Sequence, residues 1–250
     1  MDLLKKITNK GKALYLAYDH GLEHGVSDFN EKSIDPAYVL DIAEKAGFSA
    51  IVLQKGLALD YWKENKSKIP LILKLNGKTN LSKGEALALQ ECSVEFAKEI
   101  GASAVGYTVY LGSQFEAEML KEFGKIVEEA HKEKLLVIGW IYPRGKDIPD
   151  DTAPEIVAYA ARVGAELGAD MVKIKYCGSK ECFQKAVEAA GKTKVVLSGG
   201  AKFNNNEEFL KIVENVMVAG AIGVAVGRNV WQNENPLEVT AKIKEIVFRK

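Results

Sequence analysis

Short apolar runs alternate with longer segments of helical periodicity throughout this 250-residue chain. The runs are rich in β-branched and aromatic residues, which favour β-strands. The segments between them repeat apolar residues every three or four positions, as a helix with one buried face does. The eight runs are residues 13–18, 50–53, 71–75, 104–109, 135–141, 171–175, 195–197 and 222–226. This count of strand–helix units predicts a (β/α)8 barrel.

A closed barrel and an open, doubly wound sheet share this alternation, so the order of elements alone does not separate them. The strand segments are almost continuously apolar, as expected of a parallel sheet covered on both faces. No change in composition, Gly/Ser-rich linker or block of charge divides the chain. We therefore predict a single (β/α)8 barrel domain over residues 1–250.

Several helix boundaries have signals of their own. Helices are predicted over residues 35–46, 83–100, 114–133, 153–167 and 206–219. Asp35 precedes a proline and is a suitable N-cap, and Thr152 followed three residues later by Glu155 has the pattern of a capping box. Four glycines stand between a helical segment and a strand, where a left-handed C-terminal cap is expected: Gly47, Gly101, Gly168 and Gly220.

Charge and cysteine content exclude several classes of protein. The chain has 34 basic and 34 acidic residues and no basic block, so there is no electrostatic reason to expect a nucleic-acid partner. No apolar window approaches the roughly 18 residues of a transmembrane helix, and the N-terminus lacks the pattern of a signal peptide. The three scattered cysteines, Cys92, Cys177 and Cys182, are typical of reduced thiols. We predict a soluble, cytoplasmic protein without a membrane partner.

Two nucleotide-binding motifs are absent. No two glycines stand two positions apart, so the dinucleotide fingerprint GxGxxG cannot occur. Gly-Lys-Thr occurs at residues 77–79 and 191–193, but Ile72 and Ala186 occupy the place of the first glycine of a P-loop. The sequence therefore predicts neither a dinucleotide fold nor a P-loop.

The sixth strand places two lysines on one face. Side chains alternate along a strand, so Lys173 and Lys175 share one face while Val172 and Ile174 share the other. If the apolar face packs on the helices, both lysines face the barrel interior, where burial and mutual repulsion lower the pKa of a lysine. A lysine near neutrality is what a Schiff-base nucleophile requires. The structural alternative is that one lysine is solvated at the mouth while the other pairs with Asp19.

The loop after the first strand combines acidic residues with histidines. We expect Asp19 to bind a substrate hydroxyl or to assist proton transfer, and His20 to contact an anionic group. Capping of the next element is the alternative, which fits His24 better than Asp19. A metal site is disfavoured because only one other histidine, His131, is present, and it lies in a distant helical segment. We predict no metal and no other cofactor.

Polar and aromatic side chains also end the third and fifth strands. Tyr142 stands at the exit of the fifth strand, where its phenol is a candidate general acid. Trp140 lies two residues earlier on the same face and is a candidate pocket wall, although aromatic packing at a barrel rim is an ordinary alternative. Lys74 and Asn76 are further pocket candidates.

The loops after the seventh and eighth strands have the composition of an anion site. These two loops frequently bind phosphate in barrels of this kind. Glycines let backbone N–H groups approach an anion, a serine adds a hydroxyl, and an arginine adds a forked cation. The candidates are Ser198, Gly199, Gly200, Gly227 and Arg228.

Taken together, these segments resemble the archaeal-type class I fructose-1,6-bisphosphate aldolases. The resemblance runs in the family's order from about residue 13 to residue 235. The segments that carry it are Tyr-Asp-His-Gly-Leu-Glu-His-Gly, Leu-Lys-Leu-Asn-Gly-Lys-Thr, Trp-Ile-Tyr-Pro-Arg-Gly, Val-Lys-Ile-Lys-Tyr, Leu-Ser-Gly-Gly and Val-Gly-Arg-Asn-Val-Trp-Gln. The resemblance implies a TIM barrel and a metal-independent aldolase that uses a lysine Schiff base.

The family pattern also implies individual roles. It assigns the imine to Lys173 and the main acid/base step to Tyr142. From the charge repulsion argued above, we expect Lys175 to help keep the Lys173 amine neutral. The family pattern gives Asp19 a contact with substrate and gives the Ser-Gly-Gly and Gly-Arg loops the phosphate of the dihydroxyacetone phosphate half. Cys177 departs from the pattern, where a threonine is usual.

Three alternatives and one further expectation accompany this interpretation. A related Schiff-base aldolase or transaldolase, serving aromatic amino-acid synthesis or phosphorylated signalling sugars, would keep the barrel and the imine. A non-catalytic sugar-phosphate-binding barrel would keep the phosphate loops but would need neither the lysine pair nor Tyr142. Inactivation by a chelator would favour metal binding by His20 and His24. We also expect a homo-oligomer, as in the family.

Overall fold

Eight parallel strands close into a barrel in which each strand pairs with the next and the last pairs with the first. This computed structural model describes residues 3–249. The strands are β1 (Ala13–Ala17), β2 (Ala50–Gln54), β3 (Leu71–Lys74), β4 (Ala104–Leu111), β5 (Leu136–Pro143), β6 (Met171–Ile174), β7 (Lys194–Ser198) and β8 (Gly223–Val226). All eight predicted strands are present, with ends within about two residues of the prediction. The closed order confirms the (β/α)8 barrel over the open sheet.

Helices cover the outside of the barrel and fill the connections. They are α1 (Gly21–His24), α2 (Pro36–Lys45), α3 (Lys55–Leu57), α4 (Val94–Ile100), α5 (Glu116–Lys132), α6 (Pro154–Glu166), α7 (Lys180–Ala189), α8 (Asn206–Val218), α9 (Arg228–Trp231) and α10 (Pro236–Val247). Two 3-10 turns, Leu3–Lys6 and Val26–Asp28, and one π-helical turn, Ala58–Lys63, complete them. Of the helices within residues 3–249, none has both the length and the apolar character needed to cross a membrane.

The predicted helix caps are correct with one exception. The Asp35 carboxylate accepts a hydrogen bond from the Ala37 amide at 2.9 Å, and the four predicted cap glycines have φ between 64° and 100°. The capping box at Thr152 is wrong. The N-cap of α6 is Ala153, which has no side chain to donate or accept, and the Thr152 hydroxyl instead donates to Asp150.

The predicted helix over residues 83–100 is also wrong, because only its last turns, α4, are helical. The residues before Ser93 form a long loop that long-range hydrogen bonds hold against the barrel. Asn76 Nδ2 donates to the Ala88 carbonyl at 2.7 Å, and the Gln90 amide donates to Glu122 at 2.7 Å. Ser93 then caps α4. Tertiary contacts therefore override the local periodicity.

Two apolar clusters divide the core. Alternate strand residues such as Tyr15, Val52, Ile138 and Met171 fill the barrel interior. Their neighbours pack outward against the helices, and Val172 is among them. This alternation follows from the pleat of the strands.

The cysteines differ from the sequence-based expectation of three reduced thiols. Cys177 and Cys182 form a disulfide between the β6–α7 loop and the first turn of α7, with Cα atoms 6.1 Å apart. Cys92 is free and buried. The prediction is therefore wrong for two of the three residues. A separation of five residues does not by itself predict a disulfide. The two cysteines come together only because the chain turns into α7 between them.

Candidate active site

A cavity of about 440 Å³ lies at the barrel end formed by the C-termini of the strands. Its volume is in the range of small-molecule sites. All thirteen residues that the sequence predicted for the site line it: Asp19, His20, Lys74, Asn76, Trp140, Tyr142, Lys173, Lys175, Ser198, Gly199, Gly200, Gly227 and Arg228. The barrel brings them together because parallel strands end at the same edge of the sheet.

Lys173 is a buried amine of this cavity. It stands on the inward face of β6, two residues after the core residue Met171, and only 4% of it is exposed. Its Nζ lies 4.9 Å from the centre of the Trp140 ring. Burial lowers the pKa of Lys173 and the positive charge of Arg228 adds to this, whereas the Asp19 carboxylate acts in the opposite direction. The net effect favours a neutral amine more than in an exposed lysine.

Lys175 does not have the electrostatic role that was expected of it. It follows the end of β6, and its Nζ donates to the carboxylate of Asp151 in the loop before α6. That carboxylate balances its charge. The lowered pKa of Lys173 arises from its burial and from Arg228 instead. The sequence did not predict this role of Asp151, because the residues of the β5–α6 loop give no indication that the loop folds back toward Lys175.

Asp19 and His20 follow β1 and face the cavity together. Burial alone would raise the pKa of Asp19, but Lys173 and Lys74 hold it below its ordinary value. Burial lowers the pKa of His20 to about 4, so its imidazole is neutral at pH 7. The Nδ1 atom of His20 is buried and has no hydrogen-bond partner within residues 3–249. His20 is therefore suited to donating a hydrogen bond. If it contacts an anion, as expected from the sequence, it does so as a neutral imidazole and not as a cation.

Tyr142 and Trp140 project from β5 on the same side, as predicted. The Tyr142 hydroxyl lies 3.0 Å from the Ser198 hydroxyl. Burial raises the pKa of Tyr142 and keeps the phenol protonated. The Trp140 indole is buried beneath Lys173, and no residue of the described chain, 3–249, accepts from its Nε1. The cavity is thus lined by a protonated phenol and by an indole whose N–H has no acceptor among residues 3–249.

The glycines of the two anion loops have different functions. The Gly199 amide donates to the Ala225 carbonyl at 2.9 Å, so it closes the sheet and is not available to an anion. Gly200 has a φ of 68°, which a residue with a side chain rarely adopts. A Cβ on Gly227 would stand 2.7 Å from the Ala17 carbonyl oxygen. The expectation of three approaching amides is thus wrong for Gly199.

Arg228 is oriented before any ligand binds. Its Nη1 donates to Asp28 at 3.2 Å and its Nη2 to the Gly200 carbonyl at 3.1 Å. Its Nε is buried and has no partner in the described part of the chain, residues 3–249. Asp28 also contacts His24 Nδ1 at 3.1 Å. The Nε atom is thus the one guanidinium nitrogen for which the described residues provide no acceptor.

Comparison with known proteins agrees with this geometry. The profile of the DeoC/LacD family aldolases matches residues 13–233. The fructose-bisphosphate aldolase class 1 of Thermoproteus tenax is 51% identical over 247 residues, which cover 98% of this chain and 93% of that protein. The chain belongs to the DeoC/LacD aldolase family.

Solved structures of aldolases are similar over the whole chain. An archaeal fructose-1,6-bisphosphate aldolase with its catalytic lysine covalently bound to the carbinolamine intermediate has a TM-score of 0.95 and 50% identity, covering 98% of both chains. A bifunctional relative, the fructose-bisphosphate aldolase/6-deoxy-5-ketofructose 1-phosphate synthase of Methanocaldococcus jannaschii, is 38% identical and covers 95% of this chain and 81% of that protein. This chain is thus similar to aldolases in both sequence and structure.

An ion pair crosses the mouth of the aldolase cavity and was not expected from the sequence. Glu23 follows β1 and Arg144 follows β5, and these strands are opposite each other in the barrel. Arg144 Nη1 lies 2.5 Å from Glu23 Oε1, and the guanidinium stacks 4.8 Å from the centre of the Tyr110 ring. The arginine of the Tyr-Pro-Arg-Gly segment could have suggested an ion pair at this site. Its partner could not be identified, because Glu23 is 121 residues away in the sequence.

Of the two histidines considered for a metal, His24 binds Asp28, whereas His20 Nδ1 has no hydrogen-bond partner within residues 3–249. The neighbouring Glu23 binds Arg144. Across residues 3–249, no three His, Cys, Asp or Glu side chains converge on one point as metal ligands would.

Proposed function

We propose that this chain is a class I fructose-1,6-bisphosphate aldolase, which reversibly cleaves its substrate to dihydroxyacetone phosphate and glyceraldehyde 3-phosphate. The observation that carries the proposal is Lys173, a buried lysine of lowered pKa at the centre of the cavity. Relatives at 51% and 44% identity are class 1 fructose-bisphosphate aldolases. No cofactor takes part in the scheme.

Imine formation is assigned to Lys173. Its neutral amine attacks the C2 ketone of the open-chain sugar, and loss of water leaves a protonated imine. Burial supplies the neutral amine, because a charged ammonium is disfavoured in this apolar setting beside Trp140.

Carbon–carbon cleavage is assigned to groups around the imine. Asp19 accepts the proton of the C4 hydroxyl, the C3–C4 bond breaks, and its electron pair moves to the imine to form an enamine. Tyr142 then donates a proton to C3, and hydrolysis releases dihydroxyacetone phosphate. The lowered pKa of Asp19 provides a carboxylate, and the raised pKa of Tyr142 provides a protonated phenol.

Binding of the phosphate of the dihydroxyacetone phosphate half is assigned to the loops after β7 and β8. Arg228 presents its Nε edge, and Ser198 and Gly200 stand beside it. Gly227 permits the close approach of His20, whose neutral imidazole adds a donor. Lys175 and Trp140 line the remaining wall.

Borohydride trapping tests the imine. Incubation with fructose 1,6-bisphosphate and borohydride should add the reduced ligand to wild type, and Lys173→Ala should show no adduct. Lys175→Ala is the matched variant and should still be trapped. Trapping that persists in Lys173→Ala and vanishes in Lys175→Ala would assign the imine to the other lysine. A coupled assay for glyceraldehyde 3-phosphate tests cleavage itself, and the activity should survive a chelator.

A transfer reaction on the same imine is the second candidate function. The bifunctional relative of Methanocaldococcus jannaschii favours it. In such a reaction the enamine would attack an aldehyde other than glyceraldehyde 3-phosphate. Rates with alternative aldehyde acceptors, measured against glyceraldehyde 3-phosphate, separate the two. A non-catalytic barrel would give neither trapping nor turnover.

Assembly and location complete the proposal. We infer a homo-oligomer from the resemblance to the archaeal-type class I aldolases; light scattering of the purified protein tests it. The cytoplasmic location also remains a proposal, and the argument from reduced cysteines no longer supports it, because Cys177 and Cys182 are paired. Cell fractionation tests the location.

A further inference from the structure

A second lysine is buried in the cavity and has no part in the scheme above. Lys74 is the last residue of β3 and only 4% of it is exposed. Its Nζ lies 5.8 Å from the centre of the Trp140 ring, the same ring that Lys173 contacts. Burial of an amine without a carboxylate partner in direct contact is unfavourable, and such residues are characteristic of functional sites.

Asn76 fixes the position of this lysine. Lys74 Nζ donates to the main-chain oxygen and to Oδ1 of Asn76, both at 2.6 Å. Asn76 is itself held on three sides, since Oδ1 accepts from the Thr108 amide at 2.8 Å and Nδ2 donates to the Ala88 and Thr108 carbonyls. An ammonium has three N–H donors. Two are engaged with Asn76, so the third is left for the cavity that Lys74 lines.

The order of the strands indicates which part of the substrate Lys74 meets. The phosphate loops follow β7 and β8, and Lys173 is on β6. In the closed barrel β3 lies opposite β7. A sugar held by its C1 phosphate at Arg228 and by C2 at Lys173 must extend from there across the cavity, so C4 approaches the side where Lys74 stands.

We propose that Lys74 is a catalytic residue for the aldehyde half of the substrate, where its ammonium donates a hydrogen bond to the C4 oxygen and stabilises the alkoxide during cleavage. The inference rests on the proposed Schiff-base function. When the C3–C4 bond breaks, its electron pair goes to the imine, the C4 hydroxyl proton goes to Asp19, and C4 becomes a carbonyl. Lys74 keeps its proton throughout. In the reverse direction the same hydrogen bond polarises the aldehyde carbonyl, as an oxyanion hole does.

The electrostatics of the site agree with this role. Burial lowers the pKa of Lys74 to about 8, against the opposing charge of Asp19. Lys74 is therefore still protonated at pH 7 and is a more acidic hydrogen-bond donor than an exposed lysine. Asp19 is ionised beside it and can accept the proton.

Separation of two partial reactions tests the proposal. Exchange of deuterium into C3 of dihydroxyacetone phosphate needs the imine and Tyr142 but involves no C4 oxygen. In Lys74→Met and Lys74→Gln, we expect kcat for cleavage to fall by about 100-fold or more, the usual effect of losing one oxyanion donor. We expect the rate of exchange to stay within about 2-fold of wild type, because exchange forms no oxyanion at C4 for Lys74 to stabilise. Tyr142→Phe should lose exchange, and Lys242→Met, an exposed lysine on α10, should match wild type in both reactions.

Two results would overturn the role of Lys74. Exchange that falls in parallel with cleavage would mean that Lys74 acts on Lys173 or on the fold, and unchanged cleavage would mean that the C4 oxygen does not need it. Borohydride trapping of dihydroxyacetone phosphate in the same preparations keeps the two hypotheses apart. If wild type is not trapped, the Schiff-base function itself fails, whereas trapped variants with slow cleavage support Lys74.

Discussion

Replacing Lys74 by methionine should make the protein more stable at pH 7 while impairing cleavage. The pKa of Lys74 falls from 10.5 to about 8 on folding because its ammonium is buried. Since each pKa unit corresponds to about 1.4 kcal/mol, keeping this charge in the folded state costs about 3 kcal/mol. Methionine has a similar length and no charge to desolvate. For a chain of this size, a gain of that amount raises the melting temperature by roughly 6 to 12 °C.

The hydrogen bonds of Lys74 do not offset this gain. Its acceptor atoms on Asn76 keep other donors after the substitution. The main-chain oxygen still accepts from Gln54 at 3.2 Å, and Oδ1 still accepts from Thr108 at 2.8 Å. No buried acceptor is therefore left without a partner, which would otherwise cost about 1–3 kcal/mol.

The pH dependence identifies the charge as the cause. Between pH 8 and 10.5 the unfolded chain binds a proton at Lys74 and the folded protein does not, so raising the pH stabilises wild type in this window. The advantage of Lys74→Met should thus be full below pH 8 and shrink above it. Thermal and urea unfolding of both proteins from pH 7 to 10 measures this difference. An equal or lower melting temperature at pH 7, or a difference that does not change with pH, would refute the reasoning.

Two further substitutions probe other parts of the site. Burial lowers the pKa of His20 to about 4, so the free energy of unfolding of wild type should fall by about 3 kcal/mol between pH 6.5 and 4. In urea titrations, His20→Asn should lose less over the same range. His131→Asn, at a partly exposed histidine, is the control and should follow wild type. A Cβ at position 227 would come 2.7 Å from the Ala17 carbonyl oxygen, so Gly227→Ala should destabilise the protein by roughly 1–3 kcal/mol. Gly56→Ala, where the space is open, should not, and equal stability of the two variants would contradict the close approach.

Several cations at the barrel mouth are paired with carboxylates, in a chain whose total charge is zero. Arg144 pairs with Glu23, and Arg228 with Asp28. Lys175 is likewise bonded to Asp151. The 34 basic and 34 acidic residues of the sequence therefore include local pairs in which a carboxylate orients each of these three cations. A bound phosphate meets cations that are already positioned, which lowers the entropic cost of binding.

Much of the site was predictable because it depends on local rules. The alternation of a strand placed Lys173 inward and Val172 outward, and the apolar runs located all eight strands. The failures have a common physical cause. The segment before Ser93 has the periodicity of a helix, yet hydrogen bonds with Asn76 and Glu122 hold it as an irregular loop. Local propensity is weak compared with several buried long-range hydrogen bonds.

By itself, the sequence determined the eight-fold alternation, the left-handed glycine caps and the inward lysine. Each of these depends on backbone sterics or on a short periodicity within a few residues. Closure of the barrel decided the rest, because it brings strand ends together that are far apart in the chain. Only after closure does Lys175 contact Asp151 and does the Gly199 amide bond to Ala225. Closure also makes Lys74 a buried amine on β3, opposite β7.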